Sequence, residues 1–343
     1  MPEASVCRLL STTRDLEEFS QTWNALWAVD PNATPFQRPE WLLPWWRQFG
    51  QPDLRAIVIL QSGKPIGFLP LYIYVDETRD ERQLLLIGAG TSDYLDGVFA
   101  PECTPTHLHA ALDLVHETGG WDIFYACQLR RSSILFRALQ QAADFDAHPF
   151  NGMPCSRLPA LRIPDLPPKI RRNAMYYRNR ATRLGALELM EAAEPLSCFD
   201  DLIRLHSTRW QNQGVPGIFA DPRVIAWHRE MIPKVHRAGL LRLSLLCLNG
   251  ETLALAYTLL DPSARLERTE YVYLMAHSVE HADLRPGTLL LAHLLERAAE
   301  EGIDTVDLLR GEEHYKKIWH AEHVATYGFA IRSLAGAERA LAA

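Results

Sequence analysis

The chain has 343 residues, 48 % of them hydrophobic and 22 % charged, with a formal net charge of −7. That length allows two domains with sizeable cores, and the composition is that of an ordinary soluble globular protein. The acidic balance argues against DNA or general nucleic-acid binding. Six scattered cysteines without a C-x-x-C pair argue against a disulfide framework or a zinc site, and no apolar run reaches the ~20 residues of a membrane span. With no basic stretch and apolar core at the N-terminus, the expectation is a cytoplasmic protein with reduced thiols and no metal.

Asp15–Ala28 has the apolar spacing of a helix, through Leu16, Phe19, Trp23 and Leu26–Trp27. A turn at Thr34–Glu40 leads into a short aromatic helix, Trp41–Phe49, whose stripe is either core or a wall for a flat, sugar-like ligand. Arg55–Leu60 and Pro65–Val75 read as a hairpin around Ser62-Gly63-Lys64, and Arg82–Gly88 as a third strand. Gly88–Asp96 is a polar turn carrying Asp93, Tyr94 and Asp96, whose carboxylates either bind substrate hydroxyls or cap the turn. Helices over Thr106–Thr118 and Ser132–Ala143 flank a strand at Asp122–Cys127.

Four prolines in Leu158–Pro168 give the clearest linker composition in the chain, which divides it into domains of residues 1–157 and 158–343. Helix Lys169–Arg183 follows, with six basic residues and no acid. It is either a solvated face or a contact to an anionic cofactor, substrate or tRNA. Helix Cys198–Gln213 carries His206, Arg209 and Trp210 on one face. Pro222–Arg237 is a further helix, expected to break or kink near Pro233. Leu240–Cys247, Thr252–Leu260 and Thr269–Met275 read as antiparallel strands, the first two joined at Asn249-Gly250.

The most informative stretch follows. Pro286 occupies a first helical position, Gly302 a stop, and Gly287, Leu291, Leu294 and Ala298 recur at helical spacing. Thr305–Leu309 is a second strand, parallel to Thr269–Met275 by a right-handed crossover. The amides of Gly287, Thr288 and Leu289 fall in a first helical turn, where intrahelical acceptors are lacking. They simply start a helix, or they hold a phosphate with Arg285 beside it. Helix Glu312–Trp319 and a last strand, Val324–Ile331, complete the chain.

Several segments now carry a resemblance: TPFQRPEWLLPWWRQFG (34–50), GFLPLYI (67–73), SDYLD (92–96), LHSTRWQNQG (205–214), LRPGTLLLAHLLERAAEEG (284–302) and DLLRGEEHYKKIW (307–319). Together they resemble the CelD/BcsL-like acetyltransferases, relatives of the FemAB-type double-GNAT proteins. The resemblance implies an α+β (mixed α/β) fold of two GNAT-like domains, each a mixed, mostly antiparallel sheet flanked by helices. It implies acyl transfer from acetyl-CoA to a hydroxyl or amine of a small molecule or saccharide, with a link to cellulose or other exopolysaccharide synthesis. It places the acyl group between two splayed parallel strands, with oxyanion donors at Leu274, Met275 and Ala276 and phosphate contacts at Arg285, Gly287, Thr288 and Leu289. Catalytic candidates are Glu312, Glu313 or His206 as base and Tyr273 or Tyr315 as acid. Substrate-binding candidates are Gln37, Trp41, Asp93, Tyr94, Arg209, Trp210 and Lys316. In place of the GNAT signature Q/R-x-x-G-x-G/A stands Arg285-Pro286-Gly287-Thr288, with one glycine. The donor therefore stays open between acetyl-CoA and, as in FemAB-type proteins, aminoacyl-tRNA, and a non-catalytic partner-binding protein of a polysaccharide-synthesis assembly is the third reading.

Overall fold

A computed structural model describes residues 6–142 and 147–333. The N-terminal positions and Ala143, where the second helix of the first half was expected to end, lie outside the described residues. The chain divides into two compact units, Met1–Met153 with Ala325–Ala343, and Pro154–Val324.

The first unit holds two sheets. One joins β1 (Val6–Leu10), β2 (Ala56–Gln61), β3 (Lys64–Leu69) and, after β4 (Leu71–Asp76) and β5 (Glu81–Leu86), β6 (Val98–Phe99), in the order β1-β2-β3-β6. The other joins β4, β5, β7 (Ile123–Leu129), the strand Tyr327–Arg332 and β8 (Ala147–Asn151), in that order. The expected strand Pro65–Val75 is thus two strands in different sheets. They break at Pro70, which has no amide hydrogen to offer a ladder. The expected helix Asp15–Ala28 is likewise two, α1 (Thr13–Glu18) and α2 (Ser20–Val29), meeting at Phe19. With α3 (Pro39–Phe49), α4 (Pro105–Thr118) and α5 (Ile134–Gln141) they flank the sheets. Tyr327–Arg332 pairs with β7 and β8, so the end of the chain completes this unit rather than the second half.

The second unit is one seven-stranded sheet. Its strands are β9 (Cys155–Pro159), β10 (Leu187–Glu191), β11 (Leu241–Leu248), β12 (Glu251–Leu260), β13 (Thr269–His277), β14 (Thr305–Arg310) and β15 (Glu322–Val324). The order is β10-β11-β12-β13-β14-β9-β15. The start of the proline-rich segment is therefore a strand, β9, hydrogen-bonded between β14 and β15. Its helices are α6 (Pro168–Thr182), α7 (Pro195–Gln211), α8 (Pro222–Arg237), α9 (Pro286–Glu300) and α10 (His314–Ile318). Of the expected break or kink in α8, the break does not occur. Pro233 removes one hydrogen bond, but buried Met231, Ile232 and Val235 keep the helix on the core on either side of it.

Helix α9 is the centre of this unit. Leu290, Leu291, Leu294, Leu295 and Ala298 are buried and pack with Leu253, Val272 and Val306 of the strands and with Ile170, Ala174 and Ala181 of α6. The spacing of that last trio, i, i+4 and i+11, is one face of a helix, which leaves the basic residues of α6 on the other.

One buried ion pair fastens α9 to the sheet. The Glu270 carboxylate on β13 and the Arg297 guanidinium on α9 are 2.6 Å apart, with the Glu270 side chain fully buried, and Arg297 also donates to Ser244 Oγ of β11 at 2.6 Å. Burial pushes the Glu270 carboxyl above its usual range, and Arg297 pulls it back only in part. Arg297→Met strands that buried acid. Urea unfolding is expected to show a loss of about 3 kcal/mol, of which the double variant Arg297→Met/Glu270→Leu regains most, because a well-packed apolar pair replaces a buried ion pair without penalty.

Candidate functional site

β13 and β14 run parallel, but they pair only over Thr269–Tyr271 and Thr305–Asp307. Beyond that they part, and each has a local cause. β13 carries a bulge at Tyr273, where its register with β12 passes from Thr258↔Val272 to Tyr257↔Leu274. β14 bends at Leu309, whose φ of 57° is left-handed. Fully buried Asp307 holds that bend by accepting from the Leu309 amide at 2.8 Å and from Arg157 of β9 at 2.8 Å. Val272–His277 thus has an edge without a strand partner on the β14 side, and Tyr273, Leu274 and Met275 are half-buried there.

The first turn of α9 follows β13. Its N-cap, Arg285, has φ 50° and makes no side-chain cap. The Thr288 and Leu289 amides are not free, because both donate to the Arg285 carbonyl, at 2.9 and 3.2 Å. The expectation of three open amides therefore fails for two of them: the N-cap carbonyl accepts Leu289 as the first i→i−4 bond of the helix and Thr288 through a tighter i→i−3 bond. Gly287 remains, half-buried and with no backbone acceptor among the described residues. A cavity of about 430 Å³ opens beside it, lined by Lys169, Asn173 and Tyr177 of α6, by Arg285 and Thr288, and by Trp319. The exposed guanidinium, the ammonium of Lys169 and the aromatic rings suit a phosphate joined to a flat base.

Several candidates prove structural. Lys316 is buried, its ammonium donating to the Leu309, Arg310 and Gly311 carbonyls and pairing with Glu313 at 2.8 Å, so it fixes the turn after β14 and has no donor left for substrate. Glu313 is committed to that pair, while Glu312 is exposed. In the first unit Gln37, Trp41, Asp93 and Tyr94 are all buried. Gln37 closes a capping box with Thr34 and donates to the Tyr94 carbonyl; the Trp41 indole donates to Ser92 Oγ at 2.8 Å. Through these bonds Gln37 and Trp41 tie the 88–96 loop to the first unit's interior. The aromatic stripe is core, Trp41 packing edge-on to Phe36 and Trp45 to Tyr72.

His206 is no base. It is 6 % exposed, its Nε2 accepts from the Trp210 indole at 2.8 Å, and burial, reinforced by Arg209, lowers its pKa to about 4. Tyr315, the proposed acid, is half-buried in α10. Burial, with the Glu313 charge, pushes its hydroxyl above the ordinary tyrosine range, so it keeps its proton at neutral pH. Tyr273 packs against Tyr257 and His228, at ring separations of 5.4 and 5.6 Å, and forms one wall of the cleft.

His277, where the polar run to Asp283 predicts a loop, instead ends β13, and a Cβ on Gly287 would stand 3.3 Å from its ring. Its Nδ1 faces the Ser278 carbonyl at 3.3 Å, an acceptor only, so that nitrogen carries the proton. Burial lowers its pKa, the Ser278 carbonyl opposes this and Arg209 adds to it. A histidine closing the strand ahead of a Pro-Gly helix start was the available signal.

A parallel strand pair opening into a V below an uncapped helix start is the architecture of a GNAT domain. Residues 168–317 match the family model described as an acetyltransferase (GNAT) domain. Among solved structures the chain is similar in fold to FemX, at 14 % identity and TM-score 0.63, covering 90 % of this chain and 95 % of that one. It is also similar to L-PGS from Bacillus licheniformis, at 15 % and 0.57 with 92 % of each covered. A tandem GNAT protein from the clavulanic acid biosynthesis pathway matches at 14 % and 0.51, covering 95 % and 98 %. No curated protein matches the sequence. The fold is thus that of tandem GNAT proteins, mixed α/β with mixed sheets flanked by helices. Among the described residues no helix is long and apolar enough to cross a membrane.

The buried histidine sets a pH dependence. The unfolded imidazole of His206 takes a proton near its ordinary 6.5, the folded one only near 4. Between those values the unfolded chain binds more protons, so this contribution to stability is complete above pH 6.5 and is lost as pH falls toward 4. His206→Gln, which preserves an acceptor for Trp210, is expected to make the fall in unfolding free energy over that range shallower in urea titrations.

Proposed function

We propose that the chain is an acyltransferase of the CelD/BcsL-like kind, moving an acetyl group from acetyl-CoA to a hydroxyl or amine of a small-molecule or saccharide acceptor. The observation that carries this reading is the three-residue pairing of β13 with β14, which leaves a gap beside the α9 start. Acetyl-CoA supplies an activated thioester. Gly287, Arg285 and Lys169 provide an amide and two cations for its phosphates, around the cavity that Tyr177 and Trp319 also line.

Across Leu274, Met275 and Ala276 alternate backbone amides of β13 point away from β12, and one on that open edge offers a donor to a developing oxyanion, aligned by the pairing with β12 on the other side. Glu312, exposed just past β14, takes the proton of the acceptor. Tyr315, still protonated at neutral pH, gives one to the leaving sulfur. Lys316 and Asp307 hold the turn ahead of these two residues, through the Leu309, Arg310 and Gly311 carbonyls and the Leu309 amide.

A second reading, with aminoacyl-tRNA as donor, is favoured by α6. Lys169, Arg171, Arg172 and Arg180 are exposed on it together with Tyr176, which is 57 % exposed. Binding of bulk tRNA that weakens steeply with salt would favour this donor over acetyl-CoA.

Calorimetric titration with acetyl-CoA is expected to show saturable binding; its absence at millimolar ligand would sink the first reading. In Tyr315→Phe, thiol release followed with a disulfide reagent is expected to slow by ~10²-fold or more while acetyl-CoA affinity is unchanged, since general acid catalysis is worth about 10²–10⁴. Unchanged thiol release would remove Tyr315 from the chemistry.

A further inference from the structure

α6 carries a row of side chains apart from both its buried trio and its solvent-facing arginines. Lys169, Asn173 and Tyr177 stand at i, i+4 and i+8, stacked along one flank of the helix, and all three line the cavity of about 430 Å³ beside the α9 start. The N-cap of α9 supplies Arg285 to the same cavity, and the end of α10 supplies Ile318 and Trp319. Small-molecule sites occupy about 300–1,000 Å³, so the space is of a size to take a ligand.

The lining is apolar with a few polar points. Tyr177 is half-buried, and Ile318 is 47 % exposed although it lines the cavity, so a flat ring lying there would cover it. Trp319 is 5 % exposed, and its indole hydrogen meets no acceptor among the described residues. Asn173 is half-buried, and its side-chain amide likewise has no hydrogen-bond partner among the described residues. An amide holds a donor beside an acceptor, and its complement is a planar edge that does the same. Adenine has such a pair on both edges, N6–H with N7 and N6–H with N1, whereas the N7 edge of guanine presents two acceptors. A pyrimidine gives the aromatic rings less area to cover. The row on α6 begins with an ammonium and ends with a ring, which matches a nucleotide with its phosphate toward Lys169 and Arg285 and its base toward Asn173 and Tyr177.

We propose that Asn173 reads the base of a nucleotide bound in this cavity and selects adenine, with Tyr177 and Trp319 as the rings the base packs against. Both donors considered above carry adenosine: acetyl-CoA beyond its diphosphate, aminoacyl-tRNA at its 3′ terminus. Asn173 is then a specificity residue for the donor and takes no part in the chemistry between the strands. Assigning the nucleotide to the donor rests on the acyltransferase reading; the base preference itself does not.

The test is calorimetric binding of ADP, GDP and CDP to the full chain, wild type and Asn173→Leu. The wild type is expected to bind ADP at least about tenfold more tightly than GDP or CDP, and Asn173→Leu to lose that preference with its GDP affinity unchanged. The urea midpoint of the variant reports on its folding. Asn173→Asp, which keeps the acceptor and loses the donor, is expected to lose the preference too and serves if Asn173→Leu does not fold. No preference for ADP in the wild type, or the same preference in the variants, overturns the proposal. Acetyl-CoA and short RNAs then identify the source of the base. A loss of acetyl-CoA affinity in Asn173→Leu by the same factor as for ADP assigns the base to acetyl-CoA; equal acetyl-CoA affinity in both chains overturns the assignment to that donor. If acetyl-CoA fails to bind the wild type, the acetyl-CoA reading falls while the ADP preference keeps the adenine site. An RNA ending in CCA that then binds more tightly than one ending in CCG assigns the site to the tRNA terminus.

Discussion

A parallel pair of strands, closed at one end and open at the other, is the constraint on which the second unit depends. At the closed end Glu270 and Arg297 tie β13 to α9, and Ser244 draws β11 into the same contact. At the open end Asp307 spends its carboxylate on the Leu309 amide and on Arg157, bending β14 toward β9 and away from β13. Both devices are buried charges with partners, the arrangement in which a charge can be kept away from water. The gap between the strands is thus held open by specific hydrogen bonds rather than left by poor packing.

The surroundings of the gap follow from that geometry. Lys316 closes the turn after β14 by meeting three carbonyls that would otherwise lack donors. That turn leads into α10 with Tyr315, and α7, packed against β13, brings Arg209 within electrostatic reach of Tyr315 and His277. Titratable groups are pushed in opposite useful directions here: the tyrosine keeps its proton and the histidines stay neutral.

The two units differ in what their polar residues do. In the first, Gln37, Thr34, Ser92 and the indoles of Trp23, Trp27 and Trp41 bond mostly to one another and to nearby backbone. In the second, Arg209, Arg285 and Glu312 keep unspent capacity near one gap. Residue type alone does not separate these cases, since an aspartate in a turn and an aspartate in a cleft look alike in a sequence.

Local signals in the sequence determined the crossover unit: a β-branched run, a Pro-Gly helix start, a leucine stripe and a second strand. They act over a few residues, so Pro286, Gly287 and the α9 face were legible. The basic face of α6 was legible for the same reason, because helical spacing separates its buried trio from its arginines. Tertiary structure alone decided which polar groups remained free. Lys316, Gln37 and Tyr94 were turned inward by partners distant in the chain or across a bend. The Tyr327–Arg332 strand went to the first unit because edges of β7 and β8 were there to receive it. His206 became the acceptor of the Trp210 indole one turn away. Hydrogen-bond satisfaction depends on neighbours brought together by folding, and a linear pattern records propensity without recording those neighbours.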